Sequence, residues 1–265
     1  MNLRKIVKRI LPPSILGQIR MLKLKYDRAN PMRFHSEWQS ALTSDTQPEV
    51  YKKLVQGVGY CIGTGVEGHI AEFGTMSGHT ACILAQSLSY FSKAFDCSDK
   101  AHHIDIRKLH LFDSFKGLPP VKKESVDGYS PHVLSGVWGE GTCQGITTEQ
   151  LITLCSEYLE RERILVFDGW FSDTLPLIEL NTKFALVHID CDLYESAFQV
   201  LDHFFKKNLF ADGCILFFDD WNCNRASPQF GERRAWNECL NKYMPKYSNC
   251  GDYGLCGHKI IIHTD

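Results

Sequence analysis

No stretch of this 265-residue chain approaches the roughly 20 consecutive apolar residues that a membrane span requires. Basic residues stand near the start, but no continuous apolar run follows them, so neither a signal peptide nor an anchor is expected and the chain is expected in the cytoplasm. Positive charge is not in excess: 29 Lys and Arg against 31 Asp and Glu leave −2, which speaks against a general nucleic-acid binder. Zinc-type cysteine spacing is missing although there are 11 cysteines, an odd number. Several lie in apolar segments, where a thiol behaves as a small hydrophobe, and a reduced chain accounts for them better than a disulfide framework. Repeats and low-complexity tracts are absent too. What is present is ordinary globular composition, 44% hydrophobic and 23% charged, enough to bury a full core.

The charge is unevenly placed. Residues 1 to 28 hold Arg4, Lys5, Lys8, Arg9, Arg20, Lys23, Lys25 and Arg28 against Asp27 alone, a balance of +7 that leaves −9 for the rest. Ile6, Ile10, Leu11, Ile15, Ile19, Leu22 and Leu24 are interleaved with them, and Pro12-Pro13 separates two short helical stretches. This reads as a basic helical arm over residues 1–48 that packs on its own domain or on a second subunit, with weak membrane-surface contact as the lesser alternative. A homo-oligomer is expected on the same ground. The main domain is placed at residues 49–265.

From there the chain alternates. Strands are expected at His69 to Phe73, Leu109 to Asp113, Arg163 to Phe167, Phe184 to Ile189 and Cys214 to Phe218. Helices are expected at Glu49 to Tyr60, His79 to Phe91, Glu149 to Leu159, Glu195 to Lys207 and Glu232 to Leu240. A last strand, His258 to His263, is expected antiparallel at the end of the sheet. Gly63 to Gly68 matches G-x-G-x-x-G but precedes the first strand, so it reads as a connection and not as a dinucleotide fingerprint. The fold class is therefore α/β, a Rossmann-like, mostly parallel sheet with helices on both faces and an N-terminal helical extension. A long Gly-, Ser- and Pro-containing segment near residues 120–147 reads as a lid or substrate loop, with Tyr129, His132 and Trp138 as its contact residues.

Two apolar runs stop on acids: Ala185 to Asp192 ends Asp190-Cys191-Asp192, and Ile215 to Asp220 ends Asp219-Asp220. Ligands of open α/β sheets collect beyond the carboxyl ends of the strands, where these four carboxylates would meet. Clustered carboxylates repel unless a proton or cation lies between them, and an oxygen-only set favours a hard ion such as Mg²⁺. The first strand ends Glu72-Phe73-Gly74 and the second on Asp113, an arrangement suited to a nucleoside-bearing cofactor: glycine admits the ligand's approach and an acid one strand over accepts ribose hydroxyls. The turn has no Lys followed by Ser or Thr and so is no triphosphate loop. A cofactor with ribose and adenine but no phosphate, such as S-adenosylmethionine, fits better, with Glu72 at its cationic methionyl end.

Five blocks in order carry a resemblance: Ala71-Glu-Phe-Gly-Thr-Met-Ser-Gly78, Phe112-Asp-Ser-Phe-Lys-Gly-Leu-Pro119, Gly169-Trp-Phe-Ser-Asp-Thr-Leu-Pro176, His188-Ile-Asp-Cys-Asp-Leu-Tyr-Glu-Ser196 and Phe218-Asp-Asp220. Over about residues 50 to 240 the chain resembles the macrocin O-methyltransferase (TylF/MycF-like) family. The resemblance implies a class I methyltransferase fold and Mg²⁺-dependent transfer of methyl from S-adenosylmethionine to a hydroxyl of a sugar or glycosylated small molecule. It implies that Glu72, Phe73, Gly74, Thr75, Met76, Asp113 and Ser114 line the cofactor, with Gly169 and Trp170 near the adenine. It also implies that Asp190, Asp219 and Asp220 hold the metal. Asp190 is the first choice for the base that takes the hydroxyl proton, with Asp192 and His188 in reserve. Met76-Ser77 and the N-terminal arm depart from the family pattern, which leaves the acceptor open.

Two rivals follow from the same residues. Asp190-Cys-Asp192 with Asp219-Asp220 suggests a Mg²⁺-dependent phosphatase of the haloacid-dehalogenase type, but those motifs normally bracket most of a domain and here lie 29 residues apart. A non-catalytic binding module that docks a partner through the basic arm would leave four strand-end acids without a purpose.

Overall fold

The computed structural model describes residues 47–94 and 107–264. The basic arm therefore lies outside the described residues except for its last two positions, as does Cys97.

The chain alternates helix and strand: α1 (Gln47–Gly63), β1 (His69–Phe73), α2 (His79–Ala94), β2 (Leu109–Asp113), the short α3 (Pro131–Leu134), α4 (Thr148–Cys155), β3 (Ile164–Asp168), the short α5 (Phe171–Thr174), β4 (Phe184–Ile189), α6 (Tyr194–Lys206), β5 (Phe210–Phe218), α7 (Gly231–Tyr243), β6 (Lys246–Tyr253) and β7 (Gly257–His263). Seven strands form one sheet in the order β3-β2-β1-β4-β5-β7-β6. The first five are parallel, and β7 runs antiparallel to β5. This is the class I methyltransferase sheet.

β4 has all six residues buried, and β1 and β2 bury four of five, as expected of inner strands covered on both faces. Alternation divides their side chains between two cores. Ile70, Leu109, Leu111, Leu186 and Phe217 pack under α1, α2 and α4 through Leu54, Val58, Leu84, Leu88 and Leu151. Phe73, Phe112, Val187, Ile189 and Phe218 pack under α6 and α7 through Val200, Leu201, Phe204, Trp236 and Cys239.

The antiparallel strand is present but not at the sheet's edge, because β6 pairs outside it. β6 reads Lys-Tyr-Ser-Asn-Cys-Gly-Asp-Tyr and is exposed along most of its length. An edge strand need bury little, so its apolar periodicity is too weak to announce it. All ten described cysteines are free thiols, in line with a reduced chain. No described helix is long and apolar enough to cross a membrane.

Candidate active site

The site is built at the carboxyl ends of β1, β2, β4 and β5. Parallel pairing carries each strand end to the same level: Asp190 N–H donates to Phe73 O at 2.9 Å, and Asp219 N–H to Ile189 O at 3.0 Å. The acids that follow β4 and β5 are thereby brought together. Asp190, Asp192, Asp219 and Asp220 all line one cavity of about 490 Å³. Its other walls carry Gly74, Met76, Asp113 and Ser114 from the first two strand ends, and Gly169 and Trp170 beyond β3. Ten sequence-predicted residues thus share one cavity wall.

The four acids crowd one another. Burial, then the charge of Asp219, pushes Asp190 well above the usual carboxylate range. Burial, then Asp220, does the same to Asp192. Asp220 is raised to about 6 by burial and by Asp219. Among the described residues none of the four pairs with a lysine or arginine. Asp220 Oδ1 accepts from Cys223 Sγ at 3.2 Å, while its Oδ2 is buried without a partner. Among the described residues no group of three or more His, Cys, Asp or Glu side chains is already poised to hold a metal ion.

Four of the expected residues lie behind the cavity wall instead of on it. Phe73 is a core side chain, stacked on Phe112 with ring centroids 4.5 Å apart. Glu72 and His188 are register partners on β1 and β4, both fully buried, with His188 Nδ1 2.9 Å from Glu72 Oε1. Burial alone would lower the His188 pKa, but Asp219 and Glu72 outweigh it and hold the imidazole up at about 10. At 3.9 Å from Asp219 Oδ1, Nε2 is beyond hydrogen-bond range, so Glu72 is its bonded partner and Asp219 acts through charge. The second oxygen of Glu72 has no partner.

Thr75 is also buried, tied to Asp113. The Asp113 carboxylate accepts from Thr75 N–H at 2.7 Å, Thr75 Oγ1 at 3.1 Å, Met76 N–H at 3.0 Å and Phe115 N–H at 2.7 Å. Asp113 thus clamps the glycine turn through Oδ2, while Oδ1, with a single donor, keeps acceptor room on the cavity it lines. Gly74, at φ +89°, is required in that turn, since a Cβ there would lie 1.8 Å from Asp190 O.

Two acids escaped the sequence reading. Asp127 lines the cavity, is buried, and accepts from Tyr194 N–H and Glu195 N–H. Glu232, fully buried in the first turn of α7, accepts from Asp220 N–H at 3.0 Å and so fixes the turn that carries the β5 acids. Asp127-Gly128 reads locally as a turn and Glu232 as an ordinary helix-start acid. The partners of Asp127 lie 67 and 68 residues away, where no local pattern points to them. Tyr129, His132 and Trp138 do not line the cavity: His132 stacks on Trp138 and bonds to Asn224, while Tyr129 faces solvent.

A family model described as macrocin-O-methyltransferase (TylF) matches residues 37–243. The chain is 29% identical over 175 residues to the demethyldecarbamoylnovobiocin O-methyltransferase of Streptomyces niveus, covering 66% of this chain and 61% of that protein's length. It is 26% identical over 227 residues to the 8-demethyl-8-(2,3-dimethoxy-alpha-L-rhamnosyl)-tetracenomycin-C 4'-O-methyltransferase of Streptomyces olivaceus, covering 82% and 78%. Among solved structures, the O-methyltransferase NovP superposes with a TM-score of 0.62 at 23% identity, covering 81% of this chain and 79% of that one. That likeness shows the fold.

Proposed function

The chain belongs to the macrocin-O-methyltransferase (TylF) family, and from that premise we propose that it transfers a methyl group from S-adenosylmethionine to a hydroxyl of a sugar or glycosylated small molecule, with a divalent cation. The observation that carries this reading is the convergence of the strand-end acids and the Gly74 turn on one cavity. The phosphatase and binding-module readings fall, because the family match spans both acidic pairs and the glycine turn together.

The residues fit a hard cation. Their donors are oxygens, negative charge is in excess, and Asp220 Oδ2 is buried with nothing to bond. Asp190, Asp219 and Asp220 would hold it. The turn from Gly74 to Met76, with Ser114, Gly169 and Trp170, would hold the cofactor, and Glu72 with its unpartnered Oε2 stands behind that turn. When bound, the two groups supply an electrophilic methyl and a positive charge that makes a nearby hydroxyl more acidic.

The chain's own task is to orient that hydroxyl and receive its proton. Asp190 is the base in this reading, since it ends β4 directly beside the Gly74 turn. Asp192, also on the cavity, is the next candidate. His188 is the weaker one, since its ring lies behind the wall and Nδ1 is already bonded to Glu72. A cytoplasmic location and a homo-oligomeric state belong to the same reading, supported by the free thiols alone for the first and by the basic arm's sequence for the second.

The test is methyl transfer from labelled S-adenosylmethionine to a panel of deoxysugar glycosides, with Mg²⁺ and with EDTA. Transfer that EDTA abolishes and Mg²⁺ restores is the expected result. Transfer unaffected by EDTA would remove the cation from the reading, and release of phosphate from phosphomonoesters would replace the reading altogether.

A further inference from the structure

Helix α6, which follows Asp190-Cys191-Asp192, begins without a local cap. Leu193 precedes it and offers no side-chain acceptor. Its first N–H groups are satisfied instead by Asp127, whose two oxygens accept from Tyr194 at 2.8 Å and from Glu195 at 3.0 Å. Asp127 is 3% exposed and belongs to the segment between β2 and α4 that forms one side of the cavity.

The same segment is tied down elsewhere. His132 shares hydrogen bonds of 3.0 Å with Asn224, beyond β5. Ile146 N–H donates to Met76 O at 2.9 Å, beside the glycine turn. Leu118 and Trp138 close an apolar cluster on Leu193. These ties attach the segment to three separate strand-end loops, so its cavity side is fixed in place.

We propose that Asp127 is a positioning residue that clamps residues 118–127 onto the first turns of α6, and that the cleft so formed is the acceptor subsite, preformed before substrate arrives. Lys122 and Ser125 face it from the segment, and Glu195, Ser196 and Gln199 from the helix, with Glu195 and Gln199 one turn apart on the same side. Hydroxyl, amide and charged groups on facing walls suit an acceptor rich in hydroxyls. The subsite rests on the methyl-transfer reading; the clamp does not.

Three readouts test it: amide hydrogen exchange, calorimetry with S-adenosylhomocysteine, and steady-state kinetics on the best glycoside of the panel above. Asp127→Ala should raise exchange in residues 118–127 and at Tyr194 and Glu195 at least tenfold, and raise the acceptor KM at least tenfold. Its kcat and cofactor-product affinity should stay within threefold. Asp127→Asn keeps one acceptor oxygen but turns an amide N–H toward the second backbone N–H, so it should recover only part of both losses, which also separates the effect from misfolding. Gln199→Ala should raise KM with no change in exchange. Unchanged exchange in Asp127→Ala overturns the clamp, and a loss confined to kcat or to S-adenosylhomocysteine affinity overturns the subsite. If the wild-type protein methylates no acceptor, the methyl-transfer reading and the subsite fail together, while the exchange result still decides the clamp.

Discussion

Asp219 stands between two groups that need it differently: His188 lies 3.9 Å away beneath it, and Tyr253 O–H donates to its Oδ1 at 3.5 Å. Replacing it by Asn keeps the size and removes the charge. Asp219→Asn is expected to reduce turnover below about 1% of wild type, the scale of losing a main electrostatic contact at a reaction centre. S-adenosylhomocysteine affinity measured by calorimetry should stay within a few-fold. A parallel collapse of that affinity would contradict the division of roles between the acids and the glycine turn. His110 offers a second test at this scale, remote from the cavity. It is buried against Phe184, Phe167 and His69, neither ring nitrogen has a partner, and burial lowers its pKa to about 3. Below the unfolded-state pKa of about 6.5 the unfolded chain takes up a proton that the folded chain refuses, so stability falls as pH drops from there toward 3. His110→Phe removes this liability. Its stability relative to wild type should rise by about 2 kcal/mol between pH 7 and pH 5, as read by urea denaturation at both values.

At the scale of elements, the segment between β2 and α4 is held at its far end by a close approach. A Cβ on Gly145 would fall 1.6 Å from Met76 O. Gly145→Ala must push that end away from the turn, at about 3 kcal/mol, and should weaken S-adenosylhomocysteine binding in calorimetry. Gly136→Ala, where nothing lies within 4 Å but φ is +75°, should cost only about 1 kcal/mol and leave binding alone. Both costs are measurable by denaturant titration. The contrast between buried and edge strands also explains what could be read in advance. β1, β2 and β4 were legible to the residue because inner parallel strands are unbroken apolar runs ending in Gly or Asp. β6 was not, since an exposed polar edge leaves no periodic mark. The same logic separates the acids: those that stop an apolar run are visible, whereas Asp127 and Glu232 act on backbone amides that only the fold brings near.

For the molecule as a whole, the crowded carboxylates set a pH dependence opposite to that of His110. Asp190 and Asp192 are raised well above, and Asp220 raised to about 6 from, the ordinary value near 4. A raised carboxylate stabilises the fold below its unfolded pKa, and this contribution is lost as pH rises through the folded value. Without added cation, the contribution of these acids to the melting temperature should therefore decline between pH 5.5 and 8. Mg²⁺ that binds only the folded state should raise the melting temperature more at pH 8 than at pH 5.5. Differential scanning fluorimetry with and without EDTA at both pH values checks this, and an equal shift at each pH would detach the cation from Asp190 and Asp220.

Because β7 lies between β5 and β6, the strand that carries Asp219 and Asp220 receives its second neighbour only from the final hairpin, which also brings Tyr253 to Asp219. On the ribosome, β5 is complete at Phe218, well before the hairpin begins at Lys246 and before β5's own partner strand begins at Gly257. Until then it presents a bare apolar margin of the sort that invites pairing with other chains. The acid-bearing floor of the cavity is thus the last part of the sheet to be sealed during synthesis, and its acids gain their full surroundings only as the end of the hairpin leaves the exit tunnel.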